Sequence, residues 1–170
     1  MSEIILGIES TAHTAGVGII TSEGKILSNQ RSVYIPDKGE GIHPREAANH
    51  HSEKFPILFK SAFEEANLSP KEITLVSYAR GPGLGPCLRT GATAARAFAY
   101  AHNIPFLGVN HCVAHLEIGL LEGATDPVLL YLSGANTQVI AYADGRYRVF
   151  GETIDTVSYT HLTLPTICSV

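Results

Sequence analysis

The sequence begins its pattern a second time near residue 128, and that duplication limits what the chain can fold into more than any other feature. Residues 4–8 form a short apolar run ending in Glu9-Ser10-Thr11, and residues 14–20 form a second run rich in glycine and β-branched side chains. Both read as strands joined by a tight polar turn. Ser22-Glu23-Gly24-Lys25 then turns the chain into a third run over 26–34, completing a three-stranded meander. Residues 128–132 are again apolar, Ser133-Gly134-Ala135-Asn136 again reads as a turn, 137–143 as a strand, and Asp144-Gly145 as a hairpin into 147–152. Setting Ser10 on Ser133 puts Thr14 on Thr137 without a gap, so each meander carries Ser-x-x-x-Thr at its first turn.

Between the meanders, helices and strands alternate. Ala47, Ala48, His51, Phe55, Leu58, Phe59, Ala62 and Phe63 recur at helical spacing and predict a helix over 44–67, kinked or split at Pro56. A strand is expected over 73–78, a loop over the Gly- and Pro-dense stretch 80–86, and an alanine-rich helix over 92–102. A strand over 105–109 and a helix from 112 to about 122 follow, before a break at Asp126-Pro127. A meander followed by alternating helices and strands is the ribonuclease-H-like unit, and two such units face each other in the actin/Hsp70/sugar-kinase fold. The expected class is therefore α/β, with residues 1–126 a complete first domain and 127–155 the opening meander of a truncated second one.

Composition narrows the class further. With 170 residues, 45% hydrophobic and 16% charged, the chain has enough apolar material for a real core, which excludes disorder for most of it. A net charge of −4 gives no electrostatic footprint for nucleic acid, so any RNA partner has to be argued from something else. Cys87, Cys112 and Cys168 lack CxxC spacing, which suggests neither a disulfide framework nor a thiolate zinc site and fits a reducing cytoplasm. The first ten residues do not read as a secretory signal, and no apolar run spans a bilayer. A cytoplasmic protein with no membrane partner is expected.

Four places could carry chemistry. His111 and His115 are one helical turn apart, so their imidazoles share a face within reach of one metal ion; two ordinary helix histidines are the alternative. Cys112 stands where a His-Glu-x-x-His metalloprotease has its glutamate, so peptidase chemistry lacks its general base. Tyr131 either adds a phenolate oxygen or is a core aromatic. The two Ser-x-x-x-Thr turns offer backbone N–H groups and hydroxyls to an anion, and two facing turns can grip a nucleotide's phosphates. Glu9 is a functional carboxylate or a turn acceptor. His43, His50 and His51 are adequately explained by polar contacts at a helix start, and residues 80–86 lack the Lys-Ser/Thr of a Walker loop, leaving a stiff loop that shapes a cleft.

Taken in order, Gly7-Ile-Glu-Ser-Thr-Ala-His-Thr14, His43-Pro-Arg-Glu-Ala-Ala48, Gly81-Pro-Gly-Leu-Gly85, Asn110-His-Cys-Val-Ala-His115 and Tyr131-Leu-Ser-Gly-Ala-Asn-Thr-Gln138 resemble the tRNA N6-adenosine threonylcarbamoyltransferase family across residues 1 to about 155. Tyr131 and Asn136 resemble its archaeal and eukaryotic branch, whose members work in the KEOPS complex, a set of subunits that includes a small kinase. The resemblance implies transfer of a threonylcarbamoyl group from threonylcarbamoyl-AMP to N6 of adenosine 37 in tRNAs reading codons that begin with A. It also implies one divalent metal, iron or zinc, on His111, His115 and Tyr131. Threonylcarbamoyl-AMP or ATP would lie against Tyr131, Leu132, Ser133, Gly134, Ala135 and Asn136. Ala135 stands where many members have glycine. The resemblance names no catalytic acid or base.

After Gly151-Glu-Thr-Ile-Asp155 the sequence departs from the family's Gly-Asn segment, and 156–170 read as a non-family, artefactual tail. His161 and Cys168 are therefore not expected to be ligands, and the fragment alone is expected to be inactive because half a cleft cannot enclose an adenylate. Two other readings remain open at this stage: another actin-like nucleotide enzyme such as a small-molecule kinase, and a non-catalytic scaffold paralogue lacking the paired histidines.

Overall fold

The computed structural model describes residues 2–133 and 137–153. The chain divides into two compact units, 1–111 and 112–170. In the first, β1 (Ile4–Glu9), β2 (Thr14–Thr21) and β3 (Ile26–Val33) form the antiparallel meander, and β4 (Leu75–Gly81) and β5 (Phe106–Asn110) extend it in parallel with β1. The sheet order is β3-β2-β1-β4-β5. Alternation along β1 and β2 sends Leu6, Ile8, Val17 and Ile19 to one face, where they meet Phe55, Leu58 and Ala62 of α1 (Pro44–Ala66) and Ala95 and Ala99 of α2 (Gly85–His102). The two helices are joined by stacked rings, with Phe98 lying 5.5 Å from Phe59 and 5.7 Å from Phe63 between centroids. Asn67 and Asn103 end the helices in the left-handed conformation, which asparagine tolerates.

Several boundaries correct the sequence reading. α1 runs unbroken through Pro56. Both Pro56 and Ser52, whose carbonyl loses its helical donor, are exposed residues, so the missing bond falls at the surface and not in the core. β4 starts at Leu75 rather than 73 and continues through Gly81, and α2 begins at Gly85 rather than 92. Pro86 lies in the first turn of α2, where its missing N–H costs nothing, so only 82–84 remain as loop.

In the second unit, β6 (Val128–Leu132), β7 (Thr137–Ala143) and β8 (Arg146–Glu152) form an antiparallel sheet in sequence order, the second meander that the duplication predicts. Leu129, Tyr131 and Ile140 pack on Cys112 and Leu116 of α3 (His111–Leu121). Alternation leaves Val128, Leu130 and Leu132 on the other face of β6, each more than half exposed. Residues 154–170, the tail included, lie outside the described residues.

Candidate functional site

In the first unit the parallel strands β1, β4 and β5 end on one edge of the sheet, at Glu9, Gly81 and Asn110. Ligand sites of open α/β sheets lie at such carboxyl ends. β5 passes into α3 without a loop, so His111 stands directly beyond the edge. Its Nδ1 lies 3.2 Å from Glu9 Oε2. The other carboxylate oxygen, Oε1, accepts from the Thr11 backbone N–H at 2.6 Å and from the Thr11 hydroxyl at 2.5 Å. Burial opposes the Glu9 charge, but the hydrogen bonds from His111 and Thr11 outweigh it and hold the carboxyl below its ordinary pKa. Glu9 is thus a turn acceptor and a partner of His111 at once.

The turn after β1 is clamped from three sides. Leu84 N–H donates to Thr11 O at 2.7 Å, and a Cβ on Gly83 would come within 2.5 Å of that oxygen, so the glycine is needed for close approach. Ser10 is 1% exposed and lies against Gly91 of α2, and among the described residues its hydroxyl has no hydrogen-bond partner. His51 Nε2 reaches Ala12 O at 3.0 Å. The stretch 80–86, expected as a loop, is strand at Arg80 and Gly81 and helix from Gly85, and its loop residues Gly83 and Leu84 pack on Thr11. His51 is the residue sequence reasoning missed: it is fully buried, far from a solvated helix start, and only its place in the apolar spacing of α1 hinted at that.

α3 carries His111 and His115 one turn apart, and Cys112 and Leu116 are buried on its adjacent stripe. Within the second unit the Tyr131 ring stands 6.0 Å from that of His115 between centroids, so Tyr131 is a core aromatic that also abuts a candidate ligand. Cys112 points its thiol at Gln138 and is buried, which raises its pKa and keeps it a thiol. Among the described residues no three of His, Cys, Asp and Glu gather into a metal site. Imidazole and phenolate are donor types that zinc and iron accept, so the chemistry of these residue types fits the group that the resemblance implies. Leu132 and Ser133 are exposed at the end of β6, and Gly134, Ala135 and Asn136 lie outside the described residues.

The sheet order, the helices on one face and the polar edge define a ribonuclease-H-like unit of the actin and sugar-kinase class. Solved structures agree: YeaZ from Pseudomonas aeruginosa superposes with a TM-score of 0.62 at 17% identity, covering 91% of this chain and 68% of its own. A protein of Listeria monocytogenes described as an N-acetylmannosamine kinase gives 0.51 at 11%, covering 87% and 49%. At such identities the likeness speaks for the fold alone. The family model for tRNA N6-adenosine threonylcarbamoyltransferase matches residues 25–164, and the chain belongs to that family. It is 56% identical over 158 residues to the Methanopyrus kandleri enzyme of that name, covering 89% of this chain and 46% of the relative. A Thermococcus sibiricus namesake is 53% identical over 152 residues, with the same coverages. A Methanothermobacter thermautotrophicus relative, named "Probable bifunctional tRNA threonylcarbamoyladenosine biosynthesis protein", is 57% identical over 153 residues, covering 89% of this chain and 28% of its own. The chain spans less than half the length of these relatives.

Proposed function

We propose that this chain supplies the first domain and the histidine-bearing helix of an enzyme that moves a threonylcarbamoyl group from threonylcarbamoyl-AMP to N6 of a tRNA adenosine, adenosine 37. The observation that carries the reading is His111: it stands at the carboxyl edge of the parallel strands, is held by Glu9, and has His115 one turn further along α3. Family membership favours this reading over a small-molecule kinase or a scaffold paralogue.

In the reaction, the adenine N6 lone pair forms a C–N bond to the carbamoyl carbon and the C–O bond to the phosphate breaks. AMP leaves with that electron pair, and N6 loses one proton. A divalent iron or zinc ion on His111, His115 and Tyr131 would supply Lewis acidity that polarises or orients the carbamoyl group. Glu9 and Thr11 hold His111 in place; with both Thr11 donors taken by Glu9 and Ser10 buried, the grip on the adenylate phosphate falls to the rest of the turn, Ala12 to Thr14. Residues 131–136 are proposed as further nucleotide contacts. No described side chain is assigned as the proton acceptor.

tRNA is the macromolecular substrate of this reading, and with a chain charge of −4 it has to be gripped by local basic groups or by other subunits. KEOPS-type subunits, including a small kinase, are the proposed protein partners, a reading that the bifunctional names of several relatives fit. A cytoplasmic setting is proposed with them; among the described residues no helix is long and apolar enough to cross a membrane.

The test is a chimera in which residues 1–153 replace the aligned segment of the Methanopyrus kandleri relative, supplied with threonylcarbamoyl-AMP and tRNA. Modified adenosine should form, and the His111→Ala/His115→Ala double variant should lose at least about 10²-fold in rate. A folded chimera that makes none, or a double variant as fast as its parent, contradicts the proposal.

A further inference from the structure

We infer that Glu9 is the positioning residue for His111: its carboxylate, fixed by Thr11, keeps the imidazole proton on Nδ1 and so presents Nε2 as the electron-pair donor. This rests on the metal reading of His111 but makes a claim about the histidine that is measurable without any metal.

The argument is one of donors and acceptors. An ionised carboxylate only accepts, so across the 3.2 Å contact Nδ1 must be the donor. A neutral imidazole has one N–H, and with it on Nδ1 the lone pair sits on Nε2. Histidine ligands commonly give their second nitrogen to a carboxylate, which sets the tautomer and raises ligand basicity.

Glu9 is itself prevented from turning away. Its Oε1 takes both donors of Thr11, which leaves Oε2 for His111. Across the ladder Glu9 faces Gly16, where a Cβ would come within 3.3 Å of Glu9 Cβ, so the glycine leaves room for the glutamate side chain. The next three residues are pinned by α2, by Leu84 and by His51. A carboxylate on so fixed a turn orients its partner with little freedom left to lose, as preorganised sites require.

The arrangement makes a counterintuitive prediction for the isosteric variant. In Glu9→Gln the two Thr11 donors demand the amide oxygen, which turns the NH2 group toward His111 Nδ1. Nδ1 then has to accept, and the proton moves to Nε2, the nitrogen needed as ligand. A purely structural Glu9 would tolerate this change, because the bonds to Thr11 survive.

The experiment is long-range ¹H–¹⁵N correlation NMR on the histidine-labelled 170-residue chain at about pH 8, free of metal, with His111 assigned by His111→Gln. Cobalt(II) titration follows on the same samples. Wild type should carry the His111 proton on Nδ1, Glu9→Gln should carry it on Nε2, and cobalt affinity should fall about 10- to 100-fold in Glu9→Gln. Wild type with the proton on Nε2, or a Glu9→Gln chain whose tautomer is unchanged, overturns the inference whatever the cobalt result. A wild type with the Nδ1 proton that takes up no cobalt sinks the metal reading and leaves Glu9's control of the tautomer standing.

Discussion

His51 Nε2 stands 3.0 Å from the carbonyl oxygen of Ala12, tying the N-terminal half of α1 to the turn after β1. A carbonyl only accepts, so Nε2 carries the proton and Nδ1 accepts from His50 Nδ1 at 3.3 Å; His50 Nε2 then accepts from the Ser32 hydroxyl at 3.0 Å. Replacing His51 with Phe keeps the bulk but strands the Ala12 carbonyl, at a cost of about 1–3 kcal/mol in urea unfolding. An unchanged unfolding midpoint would show that this bond contributes nothing.

The same pair sets a pH dependence. Burial is the largest influence on both His51 and His50 and lowers each below 6.5 in the folded chain. The unfolded chain then binds more protons in the window just below 6.5, so stability is full above that pH and is lost as the pH falls through it. Glu9, Glu65 and Glu72 are lowered from 4.5, so their losses come only in more acid solution. The urea midpoint of wild type should therefore drop between pH 7.5 and 5.5, and that of His51→Phe should drop less; parallel profiles would contradict this.

Gly91 is needed by a neighbour and not by its own backbone. A Cβ there would meet Ser10 Oγ at 2.0 Å and Ser10 Cβ at 2.7 Å. Gly91→Ala should gain about 1 kcal/mol of helix propensity yet lose more through overpacking, a net cost of about 1–2 kcal/mol. Adding Ser10→Gly should recover stability lost to the clash, which a double-mutant cycle of thermal unfolding would detect as coupling between the two sites.

Pro56 predicts the opposite sign. It is exposed inside an unbroken helix, so Pro56→Ala restores a donor to Ser52 and should stabilise the chain by about 1–3 kcal/mol in urea unfolding. A destabilised variant would mean that the proline ring's contacts outweigh its helix penalty.

These residues also mark what was legible in the sequence. The repeated Ser-x-x-x-Thr turn gave away both meanders, because strand alternation and turn chemistry are local. His111 and His115 were legible for the same reason: four-residue spacing on a helix needs no tertiary knowledge. The start of α2 at Gly85 was hidden, since Gly83, Gly85 and Pro86 look like loop until Thr11 and the first-turn position explain them. Gly91 and His51 were opaque because their partners, Ser10 and Ala12, lie in a turn distant in sequence. Glu9 was ambiguous as read; the fold makes it a turn acceptor for Thr11 and brings His111, distant in sequence, to its second oxygen. Nucleotide contact by residues 131–136 rests on the family resemblance alone, and Gly134, Ala135 and Asn136 lie outside the described residues.

Zinc or cobalt titration of the wild-type chain beside His111→Ala, His115→Ala and Cys112→Ser, with bound metal counted by mass spectrometry, tests the histidine pair most directly. One equivalent should bind to wild type and to Cys112→Ser, and each alanine variant should bind at least about 10²-fold more weakly. Equal uptake by wild type and both alanine variants would remove the metal centre from this account.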